Sequence, residues 1–268
     1  MRFKIFAILA IKFRYNKRKV YFGKVAIMSV DSCVILCGGA SSRLKGANME
    51  SKIFLPFGGK SLVAHNFSKM SEIFRRVFIA CKGNQVDLIE KSLDCHDLPK
   101  ASLAMTKNVD CFGDKSSRND ELSDIFIIES HKIFAPIVGI ISALTQLQRQ
   151  KVFFISCDCP FVSRHTIESL CESAPNYDIV FAKDSHKIHP LIAVWSANLL
   201  PILRDSLEKG DFRLQNIINK AHSKAFAFDK SEFFNINTIE NYYTALEILR
   251  ESRAKKLFES LANHANLG

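Results

Sequence analysis

Six short apolar runs, at 34–37, 77–80, 125–128, 152–156, 179–182 and 191–195, recur along the chain, and segments of helical period separate most of them. The runs are rich in Val, Ile and Phe and show little alternation with polar residues. A strand of that kind has to be covered on both sides, which a sheet achieves when helices pack on each of its faces. The expected class is therefore α/β, in three layers: a mostly parallel sheet with helices on both faces, in a single domain. Helices are expected near 60–71, 84–93, 137–149, 163–173 and 197–209. A last one follows Thr238, where Ile239, Tyr242, Tyr243, Leu246 and Leu249 recur at helical spacing.

The formal charge of +10 invites a nucleic-acid reading, but eight positive residues lie in 1–27, which contains no acid. No basic stripe continues beyond that arm, so no nucleic-acid partner is expected. The apolar run at 5–11 is far short of the ~20 residues of a spanning helix, and no small-residue cleavage site follows it. No membrane partner is expected, and the compartment is expected to be cytoplasmic. Residues 1–27 read as a basic extension, either upstream of a natural start at Met28 or a poorly ordered surface arm, and 28–268 as the domain. A polar, aperiodic stretch at about 92–124 reads as a surface insertion. Eight cysteines, several inside apolar runs, read as reduced buried thiols. Cys157 and Cys159 lack the two-residue gap of a zinc knuckle.

Chemistry concentrates in "VILCGGASSR", where a buried strand runs into Gly38 and Gly39 and then Arg43. In an open sheet, ligands bind beyond the carboxyl ends of the strands. Glycines there let backbone N–H groups approach phosphate oxygens, and Arg43 and Lys52 supply positive charge. Counting excludes other phosphate motifs: "GGKS" ends at Ser61, but Phe54 stands where a P-loop needs its first glycine, and no G-x-G-x-x-G or G-x-S-x-G is present. A second element, "VFFISCDCPFV", ends a strand in Asp158 two residues before Pro160. A carboxylate there suits a hard cation such as Mg²⁺ shared with phosphates; an aspartate that simply initiates a turn is the plainer alternative.

In order along the chain, "LCGGASSRLKG", "SKIFLPFGGKSL", "FAPIVGIISAL", "ISCDCPF", "HPLIAVW" and "FFNINT" resemble the nucleotidyltransferases that share a G-G-x-x-x-R loop. Within these they are most similar to the molybdenum cofactor guanylyltransferases, over about 34–249. The resemblance implies a Rossmann-like nucleotidyltransferase fold and Mg²⁺-dependent transfer of GMP from GTP to the terminal phosphate of molybdopterin, with release of pyrophosphate. It implies that Leu36, Cys37, Gly38 and Gly39 line the nucleotide loop. It also implies that Arg43 and Lys52 neutralise the triphosphate and that Asp158 binds the metal.

Lys82 stands where the family often has a ribose- or base-contacting asparagine. Glu129 and Ser130 stand nearest the aspartate that selects guanine. Glu129 is preferred, because a carboxylate accepts from both N1–H and the 2-amino group. His189, Arg213, Asn235 and Asn237 fall where the family builds its molybdopterin surface, although an Asn-x-Asn-Thr segment before a helix is also an ordinary capping turn and His189 equally fits a core. Three features depart from the family: Cys37 replaces a usual alanine, the stretch from Arg43 to Lys52 is longer, and Ser51 replaces an aspartate. The implied partners are GTP, molybdopterin and the proteins that deliver molybdopterin or receive the product. Two alternatives accompany this reading: a cytidylyltransferase acting on molybdopterin or on a sugar or polyol phosphate, and a non-catalytic carrier of nucleotide or molybdopterin.

Overall fold

The computed structural model describes residues 30–38, 52–93, 124–129 and 133–265. The basic extension, most of the 92–124 insertion, and the site candidates Gly39, Arg43 and Ser130 lie outside those residues.

The strands are β1 (Ser32–Leu36), β2 (Pro56–Phe57), β3 (Lys60–Ser61), β4 (Arg76–Cys81), β5 (Phe126–Ile128), β6 (Lys151–Ser156), β7 (Ile179–Lys183), β8 (Ile188–Ser196) and β9 (Ser223–Ala227). Seven of them form one sheet in the order β5-β4-β1-β6-β8-β7-β9. β8 is antiparallel to both its neighbours and the other pairings are parallel. The helices are α1 (Leu62–Ser71), α2 (Val86–Ser92), α3 (Pro136–Leu147), α4 (Arg164–Ser173), α5 (Leu200–Glu208), α6 (Leu214–Lys220) and α7 (Ile239–Ala265).

Alternate strand residues explain why the apolar runs are continuous. Cys33 and Ile35 of β1, with Phe153 and Ile155 of β6, pack into one core with α1, α2, α4 and α7. Val34 and Leu36, with Val152 and Phe154, pack into a second core with α3, α5 and α6. Each strand thus feeds two hydrophobic layers, and each of these fully buried side chains contributes roughly 1.5–3 kcal/mol by leaving water. Helix starts follow local chemistry. Ser61 and Ser163 cap α1 and α4 by accepting from Ala64 N and Thr166 N, and α3 opens on Pro136.

Three elements differ from the sequence expectation. The segment before α1 is a tight β2–β3 hairpin whose loop residues Gly58 and Gly59 have φ of 68° and 93°. Positive φ at both positions is what a two-residue hairpin needs. Short α6 lies between α5 and β9. Strand β9 sits at the sheet edge with no fully buried residue, which is why its sequence shows no apolar run. The long α7 clamps the hairpin, with Tyr242 donating to the Pro56 carbonyl at 2.6 Å and Arg253 to that of Gly58 at 2.7 Å.

Candidate functional site

The carboxyl ends of β1, β4, β5 and β6 share one sheet edge. The amino end of antiparallel β8 reaches the same edge, since Ala182 and Lys183 at the end of β7 pair with His189 and Ile188. Backbone bonds continue the ladder past the strands: Cys37 N donates to Ala80, Cys157 N to Leu36 and Glu129 N to Cys81. The residues just beyond the strands are thereby held in register with the sheet.

The first cluster centres on Asp158. Lys52, on the short helical turn before β2, places Nζ 2.6 Å from Asp158 Oδ2 and 3.2 Å from Asn237 Oδ1. Ser156 Oγ donates to Asp158 Oδ1 at 2.5 Å, and Ile236 N donates to the Asp158 carbonyl at 3.0 Å. Cys159 Sγ lies 3.0 Å from Asn235 Oδ1. Asn235 and Asn237 therefore belong to the same cluster as the candidate metal residue. Thr238 also caps the following helix, bonding Asn241 N at 3.2 Å, so the capping reading holds for this segment as well. Beneath the cluster, Asn66 of α1 is fully buried and donates Nδ2 to the Cys157 carbonyl at 2.8 Å. That bond ties the turn carrying Asp158 to the helix layer.

The donor set suits Mg²⁺ in one way. Among the described residues no three His, Cys, Asp or Glu side chains converge on a point, so a protein cage is not formed there. A single carboxylate with an amide oxygen nearby suits an ion that keeps waters and takes its remaining ligands from phosphates.

The second cluster centres on Glu129, just past β5. Its Oε2 lies 3.0 Å from Lys82 Nζ, and both side chains are largely buried. The carboxylate is wedged between two glycines: a Cβ on Gly38 would come within 2.4 Å of Glu129 Oε1, and one on Gly139 within 3.0 Å. Gly38 is thus required by the carboxylate behind the loop, a reason beyond phosphate approach. Lys82 Nζ also donates to the Ile133 carbonyl and lies 5.1 Å from the Phe134 ring centre.

Cys37, Cys81 and Cys159 are buried along this edge, and their thiols stay protonated. A hydrogen bond to Cys157 and burial push Cys37 well above the ordinary thiol value. Burial, with Glu129 nearby, pushes Cys81 up to about 12, and burial beside Asp158 raises Cys159. The nucleophile is the thiolate, so these side chains are packing groups. The six described cysteines are all free, as the composition implied.

His189 is buried, stacks on Phe233 with centroids 4.1 Å apart, and shares a 2.9 Å hydrogen bond with Asp184 Oδ2. Burial holds its pKa below the ordinary histidine value. The N–H of His186, with His189, holds Asp184 well below the usual carboxylate range. Through Phe233, two residues before Asn235, His189 packs against the start of the asparagine segment. Arg213 is apart from both clusters: its side chain is 81% exposed and pairs with Asp211 at 3.2 Å.

Six candidates from the sequence, Lys52, Asp158, Asn235, Asn237, Glu129 and Lys82, gather into two clusters. Ser156, Asn66 and Asp184 join the surroundings of these clusters without a sequence signal. Each is polar at a strand end or on an apolar helix face, and their buried bonds are invisible without the partner. Among the described residues no helix is long and apolar enough to cross a membrane.

The model of the MobA-like NTP transferase domain matches residues 33–225. A molybdenum cofactor guanylyltransferase of Helicobacter pylori strain G27 is 30% identical over 223 residues, which cover 82% of this chain and 93% of that protein. Among solved structures, molybdopterin-guanine dinucleotide biosynthesis protein A of Archaeoglobus fulgidus aligns with a TM-score of 0.60 at 22% identity, covering 82% of this chain and 99% of that one. A Mycobacterium tuberculosis protein solved in complex with manganese aligns at 0.53 and 15% identity, covering 81% and 97%. These two structures share the fold.

Proposed function

The chain belongs to the MobA-like NTP transferase family, and from that premise we propose that it transfers GMP from GTP to the terminal phosphate of molybdopterin, releasing pyrophosphate. The observation that carries this reading is the pairing of Lys52 with Asp158 on the same sheet edge as the Gly38 loop and the Glu129 carboxylate. The extent and name of the Helicobacter pylori relative support the choice of GTP and molybdopterin.

Asp158 and Asn237 would hold Mg²⁺, which when bound supplies positive charge between the phosphates and lowers their mutual repulsion. Lys52 is poised to move from Asp158 onto a phosphate oxygen, carrying its charge with it. Arg43 and the Gly39 backbone complete the phosphate loop in this reading, with Leu36 and Cys37 forming its base. Glu129 reads the guanine edge as an acceptor. The acceptor phosphate attacks the α-phosphorus in line, and no covalent enzyme intermediate is needed, because the work is positioning two anions and screening their charge. Asn235 and Asn237 offer both donor and acceptor atoms to a pterin ring. His189 acts through Phe233, while Arg213, exposed and paired with Asp211, stands apart from this surface.

The test is purified chain, molybdopterin and Mg²⁺ with GTP, CTP or ATP, following pyrophosphate release and the dinucleotide product by chromatography. Product from GTP alone is expected. Product from CTP would replace the guanylyl assignment with a cytidylyl one, and nucleotide binding without any turnover would leave a carrier.

A further inference from the structure

Phe134 is 61% exposed, a value exceeded among the large hydrophobic side chains of the described residues only by Leu257 and Phe258 far along α7, although Ile137 and Val138, three and four residues on, are completely buried. Nothing in the packing of α3 requires an aromatic there. Its position is nevertheless defined, because it lies on the turn entering α3 and its ring takes the Lys82 ammonium at 5.1 Å. The same ammonium is 3.0 Å from Glu129 Oε2 and 3.3 Å from the Ile133 carbonyl. One side chain therefore links the aromatic ring to the carboxylate of the Glu129 cluster. Ile133, 38% exposed, adjoins Phe134 and adds apolar surface beside it.

A nucleoside base presents two recognition surfaces. Its edge carries donors and acceptors that a carboxylate can read, and its face is an apolar π-system that stacks on aromatic rings. Glu129 offers the first kind of contact but none of the second. We propose that Phe134 provides the second: the base of the bound nucleoside triphosphate lies against its ring, with Lys82 between ring and carboxylate at the edge of the base. This rests on the reading of Glu129 as the base-selecting residue and adds the residue that gives affinity without choosing the base. Every base has a π-face, so stacking is tolerant of base identity. The two contacts are therefore separable by experiment.

The experiment is calorimetric titration of the full chain with GTP, ATP and CTP in Mg²⁺, on wild type, Phe134→Leu, Phe134→Trp and Glu129→Gln. Thermal unfolding of each variant serves as the control for folding. Phe134→Leu keeps an apolar side chain and removes only the ring; it is expected to weaken GTP by about 10-fold and to weaken the other nucleotides in parallel. Phe134→Trp is expected to restore the affinity. Glu129→Gln is expected to flatten the preference for GTP over ATP and CTP. Unchanged affinity in Phe134→Leu, with the preference lost in Glu129→Gln, overturns the stacking role and leaves the base reader standing. Weakening that tryptophan does not restore also overturns it, since a ring contact should accept any ring. If Glu129→Gln keeps full discrimination, the base-reading assignment itself fails, and a stacking loss in Phe134→Leu would then place the base on Phe134 with another residue reading its edge.

Discussion

Lys52 and Asp158 are separated by 106 residues of sequence and by 2.6 Å in the folded chain. One arrives on the turn before the β2–β3 hairpin and the other at the end of β6, so their contact exists only if the sheet order and the hairpin clamp are both correct. In the absence of substrate each neutralises the other. In the proposed reaction that arrangement stores a cation and an anion, which would part when phosphates and a metal ion enter.

Replacing Asp158 by Asn should abolish transfer, by about 100-fold or more, on the scale of removing one preorganised electrostatic group. The side chain is largely buried and paired with Lys52, so the thermal midpoint should fall as well, because the Lys52 ammonium loses its charged partner. Steady-state assays over a Mg²⁺ series alongside thermal melts check this. Near-normal turnover would remove Asp158 from the metal role.

Gly38→Ala should act through Glu129. The new Cβ would sit 2.4 Å from Oε1, and the carboxylate is buried and pinned by Lys82, so it must give way. Overpacking of this kind typically costs about 1–3 kcal/mol, and GTP binding should weaken together with discrimination against CTP. Titration of both nucleotides measures it; a variant that binds GTP normally would show that the carboxylate is not fixed by that glycine.

Asn66→Leu should destabilise the fold by about 1–3 kcal/mol, because the Cys157 carbonyl loses its buried donor. Since that carbonyl precedes Asp158, kcat should fall more than GTP affinity. Urea unfolding and kinetics on the same preparation separate the two effects.

His65 supplies a pH test. Burial, with Lys69, Arg253 and Lys60 nearby, lowers its pKa to about 4, whereas the unfolded side chain titrates near 6.5. Between those values the unfolded state binds more protons, so stability is fully present above about pH 6.5 and is lost as pH falls towards 4. Allowing for its partial exposure, the loss should be roughly 1–2 kcal/mol. Urea midpoints at pH 7 and 4.5 should show this in the wild type, and His65→Gln should flatten it. An unchanged dependence in that variant would assign it to other groups, His189 among them, whose pKa burial also holds below the ordinary histidine value.

The six apolar runs and most of the helices between them were legible in the sequence because a strand covered on both faces needs no alternation. The candidate residues were legible as types: Asp158 at a strand end, Lys52 after a glycine loop, Asn235 and Asn237 before a helix. Edge strand β9 was not legible, since half-exposed backbone pairing imposes little demand on side chains. Nor was the reversal of β8, because burial on two faces looks the same in either direction. Which residues meet was decided by tertiary structure alone. Glu129 and Lys82 stand 3.0 Å apart, Gly38 and Gly139 leave room for one carboxylate, and Asn66 supports the turn at Asp158, through contacts between distant segments whose strength depends on shared burial. Local sequence determines which elements form and where their polar residues stand. Only close packing of the sheet and its two helix layers determines their partners, because exclusion of water turns a nearby charge or amide into a required one.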